Sequence, residues 1–236
     1  MAYTNSPLVN YKKISPNRTK NRNHKIDTIT IHHMAGNLTV EACGEVFAPT
    51  SRKASSNYGI GSDGRIGLYV EEKDRSWATS SSSNDHRAVT IEVANDNTKT
   101  WTISDKAYKS LVALCVDICK RNGIAELKWK GDKNLVGKVD QQNMTVHRWF
   151  ASTLCPGDYL YNLHSQIAKD VNAQLKKSSP KKLESGNDIV WELMNGKHKI
   201  KINEIERAIK ALDKAKDNEE YLPLYWMIYK VVNGNG

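Results

Sequence analysis

The sequence predicts an α/β domain followed by a small all-α module at the C-terminus. Three observations carry this. Segments 27–36, 88–93 and 144–147 are rich in Val, Ile and Thr and alternate apolar with polar side chains at period two, the pattern of strands. Segments 104–121 and 158–175 instead repeat apolar residues at helical spacing. After them KKSSPKKLESGND has the composition of a linker, and two further helical patterns follow it. The expected organisation is a domain over 1–176 that includes an arm at 1–26, a linker at 177–186 and a helical module at 187–236.

The elements follow in order. Residues 1–26 are basic and irregular, and read either as a loosely packed extension or as an arm that wraps the domain. The strand at 27–36 ends in His32, His33 and the turn residues Ala35, Gly36 and Asn37. LTVEACGEVF then puts Val40, Cys43 and Phe47 on one helical face, stopped by Pro49. Residues 55–70 read as a hairpin turning at Ser62, Asp63 and Gly64, and 71–87 as a loop containing Trp77. The helix opened by Ser104 and Asp105 carries the stripe Tyr108, Leu111, Val112, Cys115 and Ile118, and Gly123 closes it. Residues 125–143 are a Lys- and Gly-rich excursion. Pro156, Gly157 and Asp158 mark the start of a helix with the stripe Leu160, Leu163, Ile167, Val171 and Leu175.

Composition narrows the function classes. The 236 residues carry a formal net charge of +9, most of it on residues 1–176. Such a charge suits an anionic partner, including acidic wall polymers. No aromatic-studded basic motif points to nucleic acid, and no run of about 18 apolar residues points to membrane insertion. The N-terminal stretch lacks the apolar core of a signal peptide, so the expectation is synthesis in the cytoplasm and release by another route. The four cysteines form no CxxC pair, and Cys115 and Cys119, at i,i+4, read as buried hydrophobes.

The strands also deliver chemistry. His32, Glu92 and His147 each follow a threonine by two residues, so each lies on the more polar side of its strand. Cys155 comes eight residues after His147. Two imidazoles, a thiolate and a nearby carboxylate are the parts of a catalytic zinc site, in which three protein ligands leave a position open. Glu92 sits between apolar neighbours, where an unpaired carboxylate is costly unless it has a task. The blander readings are a core histidine, an inert cysteine and an edge-strand glutamate facing water.

The segments TITIHHMAG, SSNYGIGSDG, AVTIEVAND and MTVHRWFASTLCPGDYL resemble the zinc-dependent N-acetylmuramoyl-L-alanine amidases, a family that includes phage lysins and peptidoglycan-recognition proteins. The likeness covers about residues 26–176 and leans toward amidases of phages and prophages of Gram-positive bacteria. It implies a central mixed β-sheet flanked by helices, with Zn2+ in a surface groove. It selects His32 over His33 as a ligand, adds His147 and Cys155, and matches Glu92 to the carboxylate that shuttles protons. The implied reaction cleaves the amide between the lactyl group of N-acetylmuramic acid and L-alanine, so the implied partner is bacterial peptidoglycan and the implied place of action the cell wall.

Two positions depart from the pattern. Thr153 stands where some relatives have a lysine, and Ser56 where some have a tyrosine. A strong oxyanion donor is worth about 3–4 kcal/mol, so the burden shifts to zinc, to Glu92 and to the weaker hydroxyl of Thr153. Asn57, Tyr58, Trp77, Trp149 and His33 are the expected contacts of the groove. The C-terminal module reads as an accessory helical domain or, by analogy with lysins, as a cell-wall binder. The alternative function is a non-catalytic peptidoglycan receptor on the same scaffold, a role that loss of the cysteine ligand marks in relatives; Cys155 is present. A structural zinc protein would need a fourth ligand, for which His33, His86 and His164 are available without motif spacing.

Overall fold

A computed structural model describes residues 3–98 and 100–178. Its centre is a six-stranded mixed sheet. In chain order the strands are β1 (Tyr11–Lys12), β3 (Thr28–His33), β4 (Tyr58–Ile60), β5 (Ile66–Leu68), β7 (Ala88–Val93) and β8 (Met144–Thr145), arranged β1-β5-β4-β7-β3-β8. Only the β4–β5 hairpin is antiparallel; every other pair runs parallel. A separate ribbon pairs β2 (Arg18–Thr19) with β6 (Arg75–Ser76). Every residue of β3 is buried, as expected for a parallel strand covered on both faces.

The alternation read from the sequence decides which helices cover which face. Ile29, Ile31, Val89, Ile91 and Val93 pack against α3 (Asp105–Asn122) and α4 (Asp158–Ser178), through Leu111, Cys115, Ile118, Leu160, Ile167 and Val171. Cys115 and Cys119 are fully buried there. Ser104 caps α3 by accepting from the Ala107 N–H, and Gly123 ends it in the left-handed conformation at φ 69°. Near the opposite face, α1 (Val40–Phe47), capped by Thr39, packs Cys43 and Phe47 against Tyr69.

Two expectations need correction. The segment 71–87 is not simply a loop: it forms β6 and a short helix, α2 (Ser82–Arg87), capped by Ser81. Asp85 holds the turn by accepting from the Thr79 hydroxyl and from the N–H groups of Ala78 and Thr79. Helix α4 runs through Ser178, two residues into the expected linker; the rest of that linker and the helical module at 187–236 lie outside the described residues.

The arm wraps the domain. Ser15, Asn17 and Arg22 are buried, and the Arg22 guanidinium donates to the carbonyls of Glu72, Asp85 and His86 and to Asn57 Oδ1. Glu72 anchors the arm's start: its carboxylate is fully buried, receives Arg121 Nη2 at 2.6 Å and the Tyr58 hydroxyl at 2.6 Å, and its N–H donates to Asn5. Removing one partner of such a pair strands a buried charge. Arg121→Met is therefore expected to lower stability by about 3–5 kcal/mol, read as a drop in the urea midpoint. A change below about 1 kcal/mol, the range of exposed pairs, would show that this pair does not hold the arm.

Candidate metal centre

The parallel register aligns the site. Thr30 pairs with Thr90 on one side and Thr145 on the other, and two residues on His32 lies opposite Glu92. The threonines form a buried polar row beneath the site. Thr30 and Thr145 hydroxyls meet at 2.7 Å, Asn84 bridges both, and Thr90 Oγ1 lies 2.8 Å from Ser76 Oγ. These bonds pin three chain segments laterally just before they present their functional side chains. His147 follows β8 in a single 3-10 turn, His147–Trp149.

His32, His147 and Cys155 converge, with one donor atom from each lying within 4.8 Å of the others. His32 Nδ1 lies 3.4 Å from Cys155 Sγ. Tetrahedral zinc with N and S ligands has donor–donor edges of about 3.3–3.7 Å, so this edge is already close to its required length. Among the described residues the cluster has no fourth His, Cys, Asp or Glu donor, which leaves room for a catalytic rather than a closed site.

The electrostatics suit a cation. Burial lowers the pKa of His32 well below the ordinary value, with His147, His33 and His164 acting in the same direction, and burial lowers His147 too. Both imidazoles are therefore neutral, the form that ligates. Burial, then the Glu92 carboxylate, raises the Cys155 thiol. Burial pushes the Glu92 carboxyl up to about 8, against a smaller opposing pull from Arg52. Glu92 Oε1 lies 3.9 Å from His32 Nδ1, too far for a hydrogen bond, and a neutral imidazole makes no ion pair with it. Its Oε2 is buried without a partner, as is His32 Nε2. A thiol and a carboxyl that both resist ionisation, beside two neutral imidazoles, fit a divalent cation.

Glycine sets the wall beside Glu92. Gly59 lies opposite Glu92 across the β4–β7 pair, and a Cβ there would stand 2.6 Å from Tyr69 Cε2. The missing side chain lets the Tyr69 ring lie over the strand, with its hydroxyl donating to the Val40 carbonyl. Residues 22–158 match the family described as N-acetylmuramoyl-L-alanine amidase. The chain belongs to that family. Its fold is similar to three solved structures, each at low identity. PlyL has a TM-score of 0.50 at 13% identity, covering 68% of this chain and 95% of that one. AmpD has 0.51 at 16%, covering 71% and 99%. The hydrolase AmiA of Staphylococcus aureus, in complex with its ligand, has 0.51 at 14%, covering 75% and 90%. No curated protein matches the chain.

The amidase-family scaffold does not present all the expected groove residues. Asn57 and Tyr58 are fully buried and cannot line a groove. Asn57 Oδ1 accepts from Arg22 and Thr90, and the Tyr58 hydroxyl is taken by Glu72 and by the N–H of Ser6. Trp149 is only 8% exposed, because its ring stacks on Trp129 with centroids 5.2 Å apart. Trp77 is half-buried, its indole N–H donating to Thr19. His33 is buried against Trp101. Thr153 is half-buried, and its oxygen accepts from the Cys155 N–H, which leaves the hydroxyl hydrogen free to donate elsewhere. Sequence reasoning passed over Trp101 and Arg148. Trp101 stands in a polar loop, the signal that singled out Trp77, and Arg148 directly follows His147.

Proposed function

We propose that this protein is a zinc-dependent peptidoglycan hydrolase that cleaves the amide between the lactyl group of N-acetylmuramic acid and L-alanine, in the manner of a lysin acting on the cell wall. The observation that carries the reading is the convergence of His32, His147 and Cys155 with Glu92 in register beside them. The three residues would hold Zn2+, which when bound supplies an acidified water and polarises the scissile carbonyl.

The chain's own groups do the rest. Glu92 accepts the proton of the attacking water and returns it to the leaving amine of alanine. Its burial between Tyr69 and the cluster keeps the carboxyl basic enough for that exchange. Thr153 donates its free hydroxyl hydrogen to the carbonyl oxygen as charge develops. The Thr30–Thr145–Asn84 bonds hold the His32 and His147 segments together and the β3–β7 ladder holds Glu92 beside His32, which matters because catalysis is sensitive to displacements of about 1 Å.

Mass analysis of digested, purified walls tests the reading. Fragments with new L-alanine amino termini and uncut glycan are expected. New reducing sugars, or cuts elsewhere in the peptide, would replace it with another hydrolase.

A further inference from the structure

A cavity of about 720 Å³ opens beside the cluster, with Trp101, Arg148, Leu154, Asp158 and Tyr159 in its wall. Three links join it to the site. Arg148 follows His147, Leu154 precedes Cys155, and the Trp101 indole stacks on His33, the neighbour of His32, with ring centroids 4.6 Å apart. A substrate cut at the cluster has room to extend into this space.

The wall is part apolar, part cationic. Leu154 is 69% exposed and Tyr159 37%. Trp101 adopts φ 49°, a left-handed conformation that bulky residues avoid. Asp96 braces that loop by accepting from the N–H groups of Thr98 and Thr102, and the indole lies where a Cβ on Gly157 would come within 2.9 Å. Strain kept at such a place points to use. Arg148 is fixed over the Tyr161 ring at 4.9 Å, with Nη2 on the Leu154 carbonyl and Nη1 on Asp158 at 2.9 Å. The Asp158 carboxylate is 89% exposed, and an ion pair to so exposed a partner contributes little. A second carboxylate can therefore take its place on the guanidinium at small cost.

Resting on the amidase reading, we propose that this cavity receives the peptide side of the substrate and that Arg148 selects a free α-carboxylate on the residue after alanine. The charge argues for the peptide. N-acetylated sugars are neutral once the lactyl carboxyl is tied up in the amide, whereas the peptide carries acidic groups. The position follows from reach: Arg148 is one residue from a ligand, and two residues of extended chain span about 7 Å.

The test compares N-acetylmuramoyl-L-alanyl-D-glutamic acid with its isoglutamine counterpart, which keeps the γ-carboxylate and lacks only the α-carboxylate, using the full chain loaded with zinc. The wild type should favour the acid by roughly tenfold in kcat/KM, the scale of one hydrogen bond to a charged group. Arg148→Gln should erase that preference through the KM for the acid, with kcat nearly unchanged. Asp158→Asn should widen it, because it removes the competing carboxylate; a purely structural role for Arg148 would leave it unmoved. In a Glu92→Gln background the same order should appear as binding affinity. Equal rates on both substrates, or a preference that survives Arg148→Gln, would overturn the assignment alone. Cleavage of neither would overturn the amidase reading with it. If Arg148→Gln fails to fold, Asp158→Asn decides: a widened preference supports the proposal and an unchanged one overturns it.

Discussion

Replacing Glu92 with glutamine is expected to lower kcat for amide cleavage by about 10²- to 10⁴-fold, the usual contribution of a positioned general base, with zinc content unchanged. Glutamine keeps the size of the side chain and can still hydrogen-bond, but it cannot take a proton from water. The same substitution should stabilise the metal-free protein. Burial raises the folded carboxyl from its ordinary 4.5 to about 8. Between those values the folded state binds more protons than the unfolded one, so wild-type stability falls as pH rises through that window. The variant does not titrate there. It should therefore exceed the wild type by about 3 kcal/mol at pH 7 and lose its advantage below about pH 4.5. Denaturation of both metal-free proteins across that range checks the sign, and turnover of wall fragments checks the rate. A variant with full rate would place the base elsewhere.

That substitution turns on a residue visible in the sequence, and the reason is local. Period-two alternation in three strands fixes which side His32, Glu92 and His147 take, and parallel pairing then fixes their alignment. The helical stripes were legible for the same reason: Leu111, Cys115, Ile118, Leu160, Ile167 and Val171 follow the helical period into the core. The misjudged groove residues depend on partners far away in sequence. Tyr58 is an expected groove contact, but the arm covers it through Ser6 and a buried Glu72 accepts its hydroxyl. Nothing within ten residues of Tyr58 announces either contact. Trp149 is withdrawn by Trp129, which arrives from a Lys-rich excursion with no strand or helix signal of its own. The arm's strands are two residues long and carry no period, so its packing rests on single side chains such as Arg22.

Chelation is expected to abolish amide cleavage, and zinc to restore it, with an accompanying change in stability. Zinc at about a thousand times its dissociation constant should add about 4 kcal/mol to the folded state, seen as a raised thermal midpoint. Cys155→Ser should lose most of that increment. Its zinc affinity should drop by more than the roughly 10–100-fold cost of losing an outer partner of a ligand. Proton counting sharpens the test. Without metal, His32 and His147 are already neutral, whereas the Cys155 thiol and the Glu92 carboxyl are held protonated by burial. Zinc uptake at pH 7 should therefore release about two protons from these groups, measurable by calorimetry in buffers of different ionisation enthalpy. Glu92→Gln should release about one fewer, and so should Cys155→Ser. Equal release by wild type and Glu92→Gln would mean that the carboxyl is either ionised before metal arrives or still protonated afterwards, and in both cases the account of Glu92 as a base kept proton-hungry by burial and freed by the metal would fail.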